Sequence, residues 1–134
     1  MSNITNQQNN LKKEYQCKCI SFTWNGYQNT PNWQSAIETF ARNNCEFLCY
    51  GKEVAPTTGT LHLQGYMVLN FKKRPSTVRN LITDDPQFHT EMSRKCKLAN
   101  FRYCSKEGTA WVWDKFTNYC GTEKRSTVFT PTLK

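Results

Sequence analysis

The chain has 134 residues, with 18 Lys and Arg against 10 Asp and Glu and a net charge of +8. This length favours one domain, because two cores would each be too small to be stable, and 37% hydrophobic residues argue against a disordered chain. No apolar run approaches the ~20 residues of a membrane span or forms a secretory signal, and the basic excess favours a polyanionic partner.

The first half of the chain alternates between strand-like and helical patterns. Residues 1–14 are polar and rich in Asn and Gln, and we expect a flexible arm there. Residues 16–24 are rich in β-formers and predict a strand. A helix is predicted to start at Thr30-Pro31, because Thr is a favoured N-cap and Pro a favoured first residue. The apolar residues of this helix recur with helical spacing at Trp33, Ala36, Ile37, Phe40 and Ala41.

The remaining elements are predicted from strand alternation and from helix start and stop residues. They are strands at 45–54, 61–71, 88–92 and 111–113, and helices opened by Pro75 and spanning 97–107. The order β-α-β-β-α-β-α-β predicts an α+β fold, a single domain with a central, mainly antiparallel five-stranded sheet and flanking helices, in the ferredoxin-like neighbourhood. We place this domain at 15–116 and expect 117–134 to be a loop-like tail or the start of a linker.

Three polar residues on neighbouring strands are candidate metal ligands. His62 and Gln64 lie two residues apart on one strand, so both side chains point to the same face. Glu53 lies near that face if the strands on either side of residues 55–60 pair. A carboxylate, an amide oxygen and an imidazole suit Mg²⁺ or Mn²⁺ better than Zn²⁺, and leave positions open for water and a phosphate oxygen. Taken singly, each is more often an ordinary solvated residue.

Tyr103 and Lys106 lie three residues apart on the last predicted helix and share one face. A tyrosine hydroxyl is a poor nucleophile unaided, but a metal on the phosphate and a nearby ammonium would stabilise the developing charge. Taken alone, such a pair is more often an amphipathic Tyr at a helix edge beside a solvated Lys. Tyr66, on the face of His62, is the best alternative nucleophile, although it lies outside the helix motif.

Three segments, in order along the chain, resemble the motifs of a known enzyme family. They are FTWN (Phe22–Asn25), HLQG (His62–Gly65) and YCSKEG (Tyr103–Gly108), and the stretch YGKEVAPTTGTLHLQGY resembles the part that supplies the family's metal-binding glutamate. The family is the HUH endonuclease domain of the rolling-circle replication initiator (Rep) proteins of circovirus-like, circular single-stranded DNA (CRESS-DNA) viruses. The resemblance covers residues 16–114 and implies the HUH nuclease fold.

Residue by residue, the resemblance implies a metal-dependent DNA endonuclease and strand transferase. Glu53, His62 and Gln64 would hold a divalent metal, Mn²⁺ or Mg²⁺. Tyr103 would attack a DNA phosphodiester, retain a 5′-phosphotyrosine and free a 3′-OH, while Lys106 would assist at the phosphate or position the metal-bound water. The covalent link conserves the energy of the phosphodiester, so the strand can be rejoined without ATP.

The resemblance also implies a substrate and a place of action. Phe22, Thr23, Trp24 and Asn25 would help to recognise single-stranded DNA at a viral replication origin, in the host nucleus. Here His-Leu-Gln replaces the family's His-hydrophobic-His, as in circovirus-like members. The sequence has no P-loop motif, so we expect that the helicase domain which usually follows the nuclease is absent and that the isolated domain is monomeric.

Two basic clusters are candidate DNA contacts, because basic residues interleaved with aromatics can follow a phosphate backbone while rings stack on bases. The clusters are Lys72, Lys73, Arg74 and Arg79, and then Arg94, Lys95, Lys97 and Arg102. We expect part of this set to contact DNA and take Lys72, Lys73 and Arg74 as the first candidates.

Two other functions stay open. A non-catalytic, RRM-like single-stranded nucleic-acid-binding protein would use Phe22, Trp24 and Tyr66 as stacking platforms, although the RRM signature is missing. A small zinc-binding regulatory protein is disfavoured, because the 7 cysteines form no Cys-x-x-Cys pair. Their odd number fits reduced thiols better than a disulfide framework.

Overall fold

The computed structural model describes residues 14–124. Its strands are β1 (Cys17–Asn25), β2 (Cys45–Val54), β3 (Leu61–Lys73), β4 (Phe88–Met92), β5 (Thr109–Asp114) and β6 (Tyr119–Lys124). Its helices are α1 (Trp33–Asn44), α2 (Pro75–Ile82) and α3 (Lys97–Cys104), with a 3-10 turn at Tyr27–Asn29. The predicted arm at 1–14 lies outside the described residues apart from Glu14, as does the tail beyond Lys124.

The predicted α+β class is confirmed, but the predicted number of strands was wrong. Six strands form one antiparallel sheet in the order β4-β1-β3-β2-β5-β6. The additional strand is β6, which lies in residues predicted to belong to a loop-like tail. It pairs with β5 from Thr109 opposite Lys124 to Asp114 opposite Tyr119. Backbone pairing at the sheet edge therefore makes this polar segment a strand, without an apolar pattern of its own.

Helix α1 begins later than predicted. Asn32 has a φ of +61°, in the left-handed region, so Thr30-Pro31 belong to a turn and the first helical residue is Trp33. The predicted apolar stripe is confirmed by Ile37, Phe40 and Ala41, which are buried. Over residues 14–124, no helix has both the length and the apolarity needed to cross a membrane.

Helices cover the sheet on both faces, and this separates two cores. Helices α1 and α2 pack on one face, over a core that includes Ile20, Phe22, Trp24, Leu48, Leu63 and Met67. Helix α3 packs on the other face, over a smaller core that includes Phe47, Cys49, Tyr66, Phe101, Cys104 and Val112. Neighbouring residues such as Leu48 and Cys49 enter different cores, because successive side chains of a strand point to opposite faces.

Asp85, in the turn before β4, accepts hydrogen bonds that connect this turn to the core beneath α1 and α2. Its carboxylate accepts hydrogen bonds from the indole N–H of Trp24 at 2.9 Å, the hydroxyl of Thr30 at 3.2 Å and the backbone N–H of Gln87 at 3.0 Å. The hydrogen bond from Trp24, followed by those from Gln87 and Thr30, lowers the pKa of Asp85 below its usual value. The ionised carboxylate therefore stabilises the fold.

We expect Asp85→Asn to lower the free energy of unfolding by about 1–2 kcal/mol at neutral pH, because the charged acceptor is lost. The folded pKa of Asp85 lies below the unfolded value of about 3.9, so its stabilisation is present above that pH and disappears as the pH falls through the folded pKa. Urea unfolding at a series of pH values measures this difference, with Asp84→Asn as the control. A difference that stays constant down to about pH 2 would contradict the role of the charge.

Candidate active site

The pairing of β2 with β3 places Glu53 directly opposite His62. Glu53 Oε1 lies 3.0 Å from His62 Nε2, and the glutamate side chain is only 6% exposed. Both side chains lie on the face of the sheet that α3 covers in part, where Cys49 and Tyr66 are buried. The sequence prediction that Glu53 lies near the His62 face is thus met by direct contact.

Helix α3 carries Tyr103, and the turn that follows it brings Lys106 to the carboxylate of Glu53. Lys106 Nζ forms an ion pair with Glu53 Oε2, the carboxylate oxygen that His62 does not contact. The same ammonium lies 4.3 Å from the centroid of the Tyr103 ring. Tyr103 is 48% exposed, so its ring is accessible to a ligand although it also contacts the ion-paired Lys106.

The close packing of α3 on β2 depends on Gly51. A Cβ atom at position 51 would lie 1.8 Å from the carbonyl oxygen of Cys104, the last residue of α3. The helix ends there, earlier than the predicted 97–107, and Ser105 caps the turn through a hydrogen bond from its hydroxyl to Phe101 O at 2.7 Å. The absent side chain at Gly51 therefore allows the turn that carries Lys106 to reach Glu53.

Gln64 lies two residues from His62 on the same face of β3. Its Oε1 accepts a long hydrogen bond from Thr23 Oγ1 at 3.4 Å, in agreement with the pairing of Thr23 and Gln64 across β1 and β3. Gln64 lines an open groove beside Tyr103. The described part of the chain thus brings all five predicted catalytic and metal residues to one side of the sheet.

The donor set fits a hard divalent cation. Residues 14–124 contain no cluster of three or more His, Cys, Asp or Glu side chains able to hold a metal, because the third predicted ligand is the amide of Gln64. The nearly buried carboxylate of Glu53 already faces a cation, the ammonium of Lys106, and an imidazole. Carboxylate and amide oxygens with one imidazole are a set that Mg²⁺ and Mn²⁺ accept.

The segment Phe22–Asn25 divides between the core and the open face. The rings of Phe22 and Trp24 are buried in the core beneath α1 and α2, so in this structure neither offers a face to a base. Thr23 lies on the opposite face beside Gln64. The side chains that this segment leaves outside the core are therefore those of Thr23 and Asn25.

The first candidate basic cluster lies far from the site. Lys72 and Lys73 end β3 and Arg74 is the N-cap residue of α2. Ten residues of strand separate His62 from Lys72, which corresponds to about 30 Å. The structure does not bring this cluster to the candidate site.

Burial also bears on the alternatives. Tyr66 is 2% exposed in the core beneath α3, and burial, with the hydrogen bond to Cys19, raises its pKa. A buried phenol with a raised pKa is a poor nucleophile. An RRM-like binder would stack bases on Phe22, Trp24 and Tyr66, and all three of these rings are buried.

Sequence reasoning assigned no role to Asn100 and none in particular to Lys95. Asn100 is a buried polar residue of α3, and both residues line the groove beside Tyr103. A pattern of apolar residues gives no signal for a buried amide whose partners are in the preceding loop. Lys95 stands in a run of basic residues, and only the fold distinguishes it from its neighbours.

Comparison with known proteins finds similarity to viral replication proteins. The model of the viral replication protein family matches residues 17–107. The replication-associated protein of Human associated cyclovirus 1 is 39% identical over 87 residues, covering 65% of this chain and 30% of the relative. That of Pigeon circovirus is 37% identical over 73 residues, covering 54% and 22%. Para-Rep C2 of Milk vetch dwarf C2 alphasatellite is 31% identical over 86 residues, covering 64% and 29%. The chain thus spans less than a third of the length of these relatives.

Proposed function

This chain belongs to the viral replication protein family, and we propose that it cleaves and rejoins single-stranded DNA at a viral replication origin. The observation that carries the proposal is one continuous set of contacts. His62 contacts Glu53, Glu53 pairs with Lys106, and Lys106 lies against the half-exposed ring of Tyr103. These contacts connect a phenol, an ammonium group and two candidate metal ligands on one face of the sheet.

In the proposed reaction, Tyr103 Oη attacks the phosphorus of a DNA phosphodiester. The new bond joins phosphorus to Oη, and the bond from phosphorus to the 3′ oxygen breaks. The phenol loses its proton and the departing 3′ oxygen gains one, so the products are a 5′-phosphotyrosine and a free 3′-OH. Lys106, which is ion-paired with Glu53, lies against the ring of Tyr103 and orients the phenol.

Glu53, His62 and Gln64 are the residues that would hold a Mg²⁺ or Mn²⁺ ion. When bound, such an ion supplies a Lewis acid that polarises a phosphate oxygen. Glu53 contributes the negative charge, and its carboxylate already lies 3.0 Å from Nε2 of His62. The same carboxylate fixes Lys106, so one buried group organises both halves of the site.

The chemistry explains how one domain would both open and close a strand. Phosphotyrosine formation exchanges one phosphoester for another, so a 3′-OH can attack the adduct, release Tyr103 and restore the phosphodiester. Neither direction needs ATP. We propose that the domain acts as a monomer on viral DNA in the host nucleus.

Incubation with a random-sequence pool of single-stranded DNA and Mn²⁺, followed by a denaturing gel, tests this function. We expect a protein band that is shifted by covalently attached DNA and that is missing without the metal. Sequencing the attached strands would identify the preferred cleavage sequence. Binding without any covalent band would instead support a non-catalytic nucleic-acid-binding protein.

A further inference from the structure

An open groove of about 510 Å³ leads to Tyr103 from the β4 edge of the sheet. Its floor is formed by β1 and β3 through Ser21, Thr23 and Gln64, and its wall by the loop before α3 and by α3 itself. The groove is polar and open, which suits an extended nucleotide chain better than an enclosed small molecule. A strand lying in it would reach the exposed phenol of Tyr103, which lines the groove.

The loop that forms the wall is held in place from two sides. The side-chain amide nitrogen of Asn100 lies 3.1 Å from each of three oxygens, those of Ser93 Oγ, Lys95 O and Cys96 O. The backbone N–H of Ser93 donates to Cys19 O on β1 at 2.9 Å. Because Asn100 is buried and these contacts are internal, the backbone of Lys95 has a defined position relative to both the sheet and α3.

Two ammonium groups lie near the Tyr103 ring, and they differ in their partners. Lys106 Nζ is closer to the ring centroid, at 4.3 Å, but it is ion-paired with the nearly buried carboxylate of Glu53. Lys95 Nζ lies 5.9 Å from the same centroid, and within residues 14–124 it forms no ion pair. The charge of Lys106 is therefore largely compensated, whereas the charge of Lys95 is available to an incoming anion.

We propose that Lys95 binds the phosphate that Tyr103 attacks, an assignment that rests on the proposed function of Tyr103. Lys95 lines the groove where the DNA strand would enter, whereas Lys106 is paired with Glu53 and neither of those two residues lines the groove. A lysine head group is a compact charge on a flexible stem, so it can follow the phosphate as charge develops during attack. Asn100 acts as a positioning residue, because it fixes the loop that carries Lys95.

The first test compares the rates of covalent adduct formation at saturating DNA. We expect Lys95→Met to slow adduct formation by about 10- to 100-fold, the range for losing one charged contact at a reacting phosphate, and Lys95→Arg to retain most of the rate. Lys115→Met is the matched control, because it removes the same charge from the exposed turn between β5 and β6, and we expect its rate to be unchanged. Equal rates for Lys95→Met and wild type would overturn the proposal.

The second test uses binding alone, so it separates the role of Lys95 from that of Tyr103. In a Tyr103→Phe background, single methylphosphonate linkages are placed at each position of a bound oligonucleotide, and the Kd is measured with Lys95 and with Lys95→Met. We expect one position at which neutralising the phosphate weakens binding only when Lys95 is present. If every methylphosphonate weakens binding equally with Lys95 and with Lys95→Met, Lys95 does not bind the phosphate. If one position depends on Lys95 but the wild-type protein forms no covalent adduct, the proposed cleavage is wrong instead.

Discussion

Replacing Tyr103 with phenylalanine is expected to abolish the covalent adduct, by at least about a thousandfold in rate, while the Kd for single-stranded DNA stays within about twofold of wild type. The substitution removes one oxygen and no charge. The ring, and with it the contacts to Lys95 and Lys106, is retained. Because the side chain is half-exposed, we expect the loss of its hydroxyl to leave the stability of the fold unchanged.

The matched control is Tyr15→Phe, which removes a hydroxyl from another exposed tyrosine, 59% exposed and outside the site. This variant should form the adduct at the wild-type rate. Residual adduct in Tyr103→Phe would mean that another tyrosine is the nucleophile. Tyr66 would then have to leave the core beneath α3, and the adduct would form faster under conditions that loosen that core.

The second large effect concerns the metal-type residues. His62→Ala should abolish cleavage, and Gln64→His should preserve or improve it, because position 64 shares a strand face with His62 and imidazole is a stronger donor than a carboxamide. The measurement is the Mn²⁺ concentration that gives half-maximal cleavage. The rise in melting temperature with added Mn²⁺ provides a second readout that does not depend on catalysis.

Gln64→Ala decides how many ligands the site has. A higher Mn²⁺ requirement than wild type would make Gln64 a ligand. If both proteins need the same concentration, the site rests on Glu53 and His62 alone. Gln34→Ala is the matched control, because it removes the same amide from an exposed position of α1, and its Mn²⁺ requirement should equal that of wild type.

Local sequence predicted the parts of this site that lie close together along the chain. Glu53 and His62 are joined by the short turn at 55–60, and a hairpin of that length fixes which residues of the two strands face each other. The alternation of β3 then places Gln64 on the same face as His62. These two facts follow from strand geometry once the hairpin is assumed.

The contacts between distant segments were not predictable in this way. Lys106 and Glu53 are 53 residues apart, and their ion pair depends on how α3 docks against Gly51. The availability of Lys95 depends on the same docking and on the buried amide of Asn100. Sequence composition alone ranked the cluster at Lys72 first, although it lies at the far end of β3.

Two further differences have simple physical reasons. The strand β6 has little pattern of its own, and its backbone adopts an extended form because β5 offers an unpaired edge. In the segment Phe22–Asn25, strict strand alternation already separates the two rings from Thr23 and Asn25. The motif was nevertheless assigned to DNA as a whole, and only the packing of α1 and α2 shows that its rings are needed by the core.

Mass spectrometry of the covalent product identifies the residue to which the DNA is attached. The protein is incubated with single-stranded DNA and Mn²⁺, and the product is digested with a nuclease and a protease. The mass spectra are then searched for a peptide that carries a nucleotide. We predict a single modified peptide that contains Tyr103, with the nucleotide attached through its 5′ phosphate to the phenolic oxygen. A nucleotide on any other residue, or attachment through a 3′ phosphate, would contradict the proposed attack of Tyr103 on the phosphodiester.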